Sequence, residues 1–483
     1  MNRDEIKAVY DRGPEAVIDL VESLFAIIAQ QQQQILSLTQ RVNELESRLK
    51  TDSHNSNKPP SSDLSRKKSR SLRHSKGKKS GAQSGHDPHF LRPVDTPNRI
   101  VIHPLTQCSV CEASLEDVEV SDYHSRQVFD LPPIKLEVTE HRVEVKQCRV
   151  CQTRCCANFP QSVSNLTQYG EGIKSLAVYL MTSQLLPYRR TRQIIEDLLG
   201  QSVSEGTLQS ALRECFDSVG QIEESIRQAI TNARLAHFDD TGFYVSGQRQ
   251  WLHVASTSTL SYYHHHPKRG RGAIEEIGIL ACFQGTACHD SFRSYLSYQC
   301  KHALCNAHHL RELTYLEEEG HKWAGEMKSL LVEIKESVEE AIGRGEERLD
   351  GAKKEEFERR YEKILKKGLR VESRKPKLAS GKRGPKKQSK AKNLLDRLSR
   401  LRKETLSFMY DFGVPFDNNQ AERDLRMMKV KQKISGGFRR EEGARIFCRI
   451  RGYISTMSKQ GHNVLTALKS VFAGQPILPA LSG

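Results

Sequence analysis

The sequence predicts a mixed α+β chain of several domains, made of an N-terminal coiled coil, a small β-rich unit with paired cysteines, and an α/β core interrupted by helices. Three observations carry this reading. A heptad of apolar residues runs through 15–50, short alternating runs surround two Cys-x-x-Cys pairs, and from Leu235 onward strand-like runs mix with helical patterns. At 483 residues the chain is long enough for more than one core.

In the heptad, Val21, Ile28, Ile35, Val42 and Leu49 fall seven apart, with Val17, Leu24, Leu38 and Leu45 between them and only Gln31 breaking the second series. β-Branched residues at a with Leu at d favour a parallel two-stranded coiled coil, so 1–52 is read as a zipper and the protein as a homodimer or higher oligomer. The stretch from Ser53 to Gly85 is rich in Ser, Gly, Pro, Lys and Arg with almost nothing apolar. It cannot bury enough surface to fold, which makes 53–88 a flexible basic linker. Short alternating strands such as IKLEVTEHRVEVKQC place a β-rich unit at 89–160. Residues 161–232 read as helices. Within them YRRTRQIIEDLLGQSVSEGTLQSALREC gives a helix, a turn after Gly200 and a second helix from Ser204, compatible with a helix-turn-helix or with two ordinary packed helices.

The core is assigned to 233–306 and 411–440. LAHFD, QWLHVAST and LSYYHHH supply three strands, and ACFQGTACHD and KHALCN two more. Residues 307–410 are helical and charged, with an exposed Lys/Gly/Pro-rich loop inside SRKPKLASGKRGPKKQSKAKN, and 441–483 is helical again.

Lys and Arg number 75 against 59 Asp and Glu, a formal net charge of +16. A chain this basic calls for a polyanionic partner, of which nucleic acid is the commonest. No apolar run approaches the roughly 20 residues of a membrane span, and MNRDEIKAVYDRG lacks a signal-peptide pattern. The expected compartment is the cytoplasm, with the 12 cysteines as thiols or metal ligands and no membrane partner.

Cys108-x-x-Cys111 and Cys148-x-x-Cys151 are two knuckles separated by 36 residues. Four thiolates suit the tetrahedral preference of one structural zinc, and a small unit with little core needs such a staple. Cys155 and Cys156 lie close enough to replace a knuckle cysteine.

Three acids stand out by context. Asp239 closes LAHFD before a Thr-Gly turn, and Asp290 closes the strand in GTACHDSFRSYL. Glu422 lies in VPFDNNQAERDLRMMKVKQKISGGFRR, where Asp417 is placed to cap a helix. Side chains alternate along a strand, so only one of the adjacent Asp239 and Asp240 points into a given site. Glu422, Arg426, Lys429 and Lys433 recur at helical spacing on one face. One carboxylate among three cations suits a helix that holds a divalent ion while its cations grip phosphates.

The segments HFDDTGFYV, HHPKRG, EEIGILACFQG, HDSFRSYL, HALCNAHHLREL, VPFDNNQAERDLRMMKVKQKISGGF and FCRIRGYISTMSKQGHNVLTAL resemble bacterial insertion-sequence transposases of the IS-sixty-six family, over nearly the whole chain. The resemblance implies a ribonuclease-H-like catalytic core with an Asp-Asp-Glu triad, here Asp239, Asp290 and Glu422. Where the family places Glu after the first aspartate, this chain has Asp240, and a register shifted by one would make Asp240 the ligand instead. It further implies two Mg²⁺ (or Mn²⁺) ions on the triad, cleavage at the element's ends, joining of the 3′-hydroxyl to target DNA, and companion proteins of the same element.

The 132 positions between Asp290 and Glu422 imply a helical insertion at 307–410. Cys305-x-x-His308 resembles a signature of several transposase families and is read as a structural pair, with metal binding as the alternative. Arg423, Arg426, Lys429, Lys431, Lys433, Arg439 and Arg440 are the expected phosphate contacts, extended by Arg445, Arg449 and Arg451. Two rival readings are a nuclease of the same core that does not join ends, and a noncatalytic DNA-binding regulator in which the carboxylates are dispensable.

Overall fold

The structure, a computed structural model, describes residues 3–49, 55–56, 91–132, 134–373 and 388–481. The expected basic linker at 53–88, apart from 55 and 56, and residues 374–387 of the Lys/Gly/Pro-rich loop lie outside the described residues. The chain divides into two units, one of residues 1–70, 169–191 and 204–483 and the other of 71–168 and 192–203.

Helix α1 (Arg3–Tyr10) is followed by the 36-residue helix α2 (Pro14–Leu49). Gly13 takes φ +106° between them, a value that favours glycine. Along α2 the heptad residues Val21, Leu24, Ile28, Ile35, Leu38, Val42 and Leu45 are exposed.

The second unit departs from the β-rich expectation. Among its described residues the strands are β1 (Val145–Gln147) and β2 (Arg154–Cys156), an antiparallel pair of three residues each. Val110, Val118, Val128, Leu131, Val138 and Val150 are exposed. Alternating apolar residues do not make a sheet where no second layer covers one face.

The first unit continues with α3 (Glu171–Val178), which runs into a π-helical turn at Tyr179–Ser183. Helix α4 (Tyr188–Leu199) starts in this unit and has its residues from 192 onward in the other, and α5 (Glu205–Ser218) and α6 (Gly220–Thr231) belong to the first unit. Ser204 caps α5 by accepting a hydrogen bond from the Thr207 amide at 3.0 Å. Strands β3 (Leu235–Val245), β4 (Gln248–Ser256) and β5 (Ser261–His266) follow. Short helices α7 (Arg271–Ile277) and α8 (Ile279–Cys282) lead to β6 (Thr286–His289) and β7 (Lys301–Leu304). The five strands form one sheet in the order β5-β4-β3-β6-β7, antiparallel from β5 to β3 and parallel from β3 to β7.

The first strand does not end at Asp239, and Thr241-Gly242 is not a turn. Pairing with β4 carries the polar DDTG stretch through the sheet, with Asp239 opposite Val254 and Gly242 opposite Trp251. The hairpin turn is Ser246-Gly247, both at positive φ (50° and 75°), as a two-residue hairpin of matching twist requires.

Six helices follow β7: α9 (Asn306–Glu318), α10 (Lys322–Gly343), α11 (Gly351–Ser373), α12 (Lys390–Arg400), α13 (Arg402–Thr405) and α14 (Ser407–Tyr410). They bury a core of their own around Trp323, Met327, Leu331, Phe357, Tyr361 and Leu395. The excursion leaves the sheet and returns at one place, because the Asn306 amide donates to Phe416 O at 3.1 Å and the Asn306 side chain donates to Thr405 O at 2.9 Å.

Helices α15 (Asn419–Ser435), α16 (Glu441–Lys459) and α17 (Val464–Phe472) complete the unit. One core joins Ala236 and Phe238 of β3 to Ile226 and Ile230 of α6 and to Ile450 and Ile454 of α16. Another joins Phe243 and Val245 of β3 to Ala421, Leu425 and Met428 of α15 and to Phe447 of α16. Because α16 feeds both cores it is apolar around much of its circumference.

Candidate active site

The two cores show which way the paired aspartates point. Along β3 the even residues Ala236 and Phe238 belong to the α6 side, and the odd residues Phe243 and Val245 to the α15 side. By alternation Asp239 shares the face of α15, the helix that carries Glu422. Asp240, on the other face, is nearly fully buried and ion-paired with Arg269 Nε at 2.8 Å, with the Tyr295 hydroxyl 3.4 Å away. Arg269 is itself held over the Phe292 ring at 4.0 Å. Asp240 is therefore engaged within the protein, and Asp239 is the residue of the pair left for a site shared with Glu422.

Asp239 Oδ1 accepts a hydrogen bond from the Asp240 amide at 2.8 Å. Burial, followed by the charge of Asp290 and more weakly those of Asp240 and Glu422, pushes its carboxyl well above the ordinary aspartate range. Asp290 directly follows β6, and its Oδ1 accepts from the Phe292 amide at 2.9 Å, which orients the carboxylate at the strand end. Glu422 lies in the first turn of α15, and burial raises its carboxyl against the lowering charge of Arg311. Asp239 thus feels the charge of both Asp290 and Glu422, the latter 183 positions away in sequence. They do not form a single tight cluster: among the described residues, the only group of three or more ligand-type side chains with all donor atoms within 4.8 Å is Cys305, His308 and Glu422.

That second group lies where β7 hands over to α9. Cys305 follows the strand and His308 occupies the first turn of α9, 3.8 Å from Glu422 Oε1 through its Nδ1. Cys305 Sγ accepts a hydrogen bond from the Asn418 amide at 3.1 Å. Burial pushes the thiol up to about 12 and His308 down to about 4, with Arg311 adding to the latter.

Asn418 is the residue that sequence reasoning missed. It precedes α15 yet makes no side-chain cap; its amide nitrogen donates to Phe238 O at 2.9 Å, and its Oδ1 lies 2.7 Å from His237 Nδ1. That amide orientation makes His237 the donor. Burial lowers the histidine below the usual imidazole range and keeps it neutral. Asp417, expected to cap the helix, instead accepts from the Asn419 amide at 3.0 Å just before it. The start of the helix is thereby tied to the two residues that precede Asp239, the His237 ring and the Phe238 carbonyl. No local pattern announces this, because the partners lie about 180 positions apart.

The expected phosphate contacts divide. Arg423, Arg426, Lys429, Lys433, Arg439 and Arg440 are exposed, although Lys429 Nζ also donates to Gly242 O at 2.9 Å. Lys431 is turned inward over the Phe438 ring at 4.5 Å and the Phe447 ring at 5.6 Å, and burial brings its pKa down to about 8. Arg445 is exposed, but its guanidinium lies 5.5 Å from the Phe216 ring. Arg449 also faces inward, stacked 3.7 Å over Phe216 and bonded to Glu223 at 2.6 Å, and Arg451 contacts Thr182 O at 3.5 Å. Arg449 and Arg451 hold α16 in place and add nothing to an exposed basic surface.

In the second unit the two knuckles share one local conformation. The amide of Glu112 donates to Cys108 O and that of Gln152 to Cys148 O, with Glu112 and Gln152 both at φ near +60°. The amides of Cys111 and Val110 and the Cys111 thiol lower Cys108, and the Thr153 hydroxyl, followed by its amide and the Cys148 thiol, brings Cys151 down to about 7, the direction a metal-ligating thiolate needs. The structure does not gather three of the four knuckle sulfurs, or Cys155 and Cys156 with them, within 4.8 Å of one another.

Comparison with known families gives three matches. The profile of the Transposase IS66 family matches residues 167–446, more than half of the chain. The zinc-finger binding domain of transposase IS66 matches residues 106–152, which include both knuckles, and a family of unknown function (DUF6444) matches residues 12–92. No curated protein matches the chain. No helix among the described residues is long and apolar enough to cross a membrane.

Proposed function

Because this chain belongs to the Transposase IS66 family, we propose that it cuts the ends of an insertion sequence and joins the freed 3′-hydroxyl to target DNA. The chemistry is divalent-metal-dependent phosphoryl transfer at Asp239, Asp290 and Glu422. The observation that carries this reading is the state of Asp239: a carboxyl raised by burial and by two acids distant in sequence, with no cation bonded to it among the described residues. A buried carboxyl facing the charges of two other acids fits a cationic ligand, and hard oxygen donors fit Mg²⁺ or Mn²⁺. Ions bound there would activate the attacking oxygen and stabilise the leaving one.

The protein's own part is position. The strand holds Asp239 toward α15, the Asp290 carboxylate is oriented by the Phe292 amide, and Asn418 fixes the helix of Glu422. Arg423, Arg426, Lys429 and Lys433 are exposed cations of α15 and grip DNA phosphates without reading sequence. A ribonuclease-H-like description of the core is supported by three antiparallel strands continued by two parallel ones, with Asp239 on the central strand. We read 307–410 as an insertion into that core, 1–52 as a dimerising zipper that pairs two element ends, and 89–160 as the zinc unit. In the zinc unit Cys108, Cys111, Cys148 and Cys151 are the ligands, drawn together when the ion binds.

The test is a pair of assays on purified Asp239→Asn. It should bind element-end DNA like the unsubstituted chain and lose Mg²⁺-dependent end cleavage and the joining of a pre-nicked end. Cleavage at the unsubstituted rate removes the triad. Cleavage by the unsubstituted chain without any joining reduces the protein to a nuclease.

A further inference from the structure

We propose that Cys305, His308 and Glu422 form a second metal site, for a borderline-soft divalent ion of the zinc class, distinct from the four-cysteine unit and sharing Glu422 with the triad. The donors are one sulfur, one nitrogen and one oxygen, and all three lie within 4.8 Å of one another. A tetrahedral zinc with bonds of about 2.0–2.3 Å spaces its ligand atoms roughly 3.3–3.7 Å apart. His308 Nδ1 and Glu422 Oε1, at 3.8 Å, are already close to that spacing.

A second, independent observation concerns what these atoms lack. His308 Nδ1 and Glu422 Oε1 are both shut off from solvent and have no hydrogen-bond partner. Two facing polar atoms left unpaired in this way call for an occupant that both can bind. Arg311 Nη2, 3.6 Å from the same Glu422 oxygen, is ion-paired with it but stands beyond hydrogen-bonding distance. The third donor is fixed in place, since Cys305 Sγ accepts a hydrogen bond from the Asn418 backbone amide at 3.1 Å. A mixed S/N/O set selects zinc over magnesium, and three protein ligands leave a fourth position for water or a phosphate oxygen.

Sharing Glu422 has a consequence that rests on the transposase reading. A chain with zinc in this site has its glutamate withdrawn from Asp239 and Asp290, so zinc beyond the structural equivalent slows Mg²⁺-dependent end cleavage.

The site is tested by metal analysis of the full-length protein after equilibration with micromolar zinc, beside Cys305→Ser and His308→Gln, each checked for cooperative thermal unfolding. Both variants should hold about one zinc ion per chain fewer than the unsubstituted protein, whatever the cysteine knuckles contribute. If Cys305→Ser fails to fold, His308→Gln alone decides. Equal zinc content in the folded variants overturns the site. Zinc titration of the unsubstituted chain tests the sharing, which unslowed cleavage at saturation refutes. No cleavage even without added zinc overturns the transposase reading instead, while the difference in zinc content stands.

Discussion

The Oδ1 of Asn418 accepts from His237 Nδ1 at 2.7 Å while the same side chain donates to Phe238 O at 2.9 Å, so one buried amide joins the Glu422 helix to the strand of Asp239. Removing it orphans a buried ring nitrogen and a buried carbonyl, each worth about 1–3 kcal/mol. Asn418→Ala should lower the unfolding midpoint and slow end cleavage by about tenfold to a hundredfold, because misplacing a reacting group by 1 Å costs on that order. Thermal unfolding and a cleavage time course check both effects. A stable, fully active variant would show that the clamp is dispensable.

Asp239 holds its proton more tightly in the folded than in the unfolded chain. Between the ordinary aspartate value and the raised folded value the native state binds more protons, so stability falls as pH rises through that window. Asp239→Asn should flatten this decline and raise the midpoint of metal-free protein at neutral pH, by about 2–4 °C for each kcal/mol relieved. Mg²⁺ should stabilise the unsubstituted chain and leave the variant unmoved. Calorimetry over a pH series with and without the ion measures both.

Exposed and packed lysines on α15 should separate in their salt dependence. Arg426→Ala and Lys433→Ala should each reduce the slope of log binding constant against log salt by about 0.9. Lys431→Ala should leave that slope unchanged and cost stability instead, since Lys431 lies over Phe438 and Phe447. DNA-binding isotherms at several salt concentrations decide it.

Ile28 and Ile35 are exposed one heptad apart on α2. If they line a zipper seam, Ile28→Asp combined with Ile35→Asp should convert the dimer to monomer in sedimentation, with the thermal transition of the catalytic unit unaltered. An unchanged mass would remove the zipper.

The five strands of the sheet were legible as apolar runs, and the heptad as one long helix. What misled was chemistry that local pattern does not carry. DDTG reads as a strand end and a turn, yet nine cross-strand pairs with β4 carry it through the sheet. Ser246-Gly247, which does turn, carries its own local signal in a small residue followed by glycine. The three acids stood out only together with their surrounding segments; the burial and neighbouring charges that raise Asp239 come from packing between β3, β6 and α15. Lys431 and Arg449 looked like their exposed neighbours because the rings that hold them, Phe438, Phe447 and Phe216, come from other elements. The alternating residues of 89–160 imitate strands whose covering layer is absent from the described residues.

Beyond its Asn418 end, α15 is fastened a second time. The Phe438 amide donates to Tyr244 O at 2.9 Å and Phe438 O accepts from the Ser246 amide at 2.8 Å, so the segment after the helix pairs with the far end of β3. Gly437 permits this approach, since a Cβ there would lie 2.4 Å from Tyr244 O. A rod pinned at both ends neither rolls nor slides, and the bearing of Glu422 is set before any nucleic acid arrives.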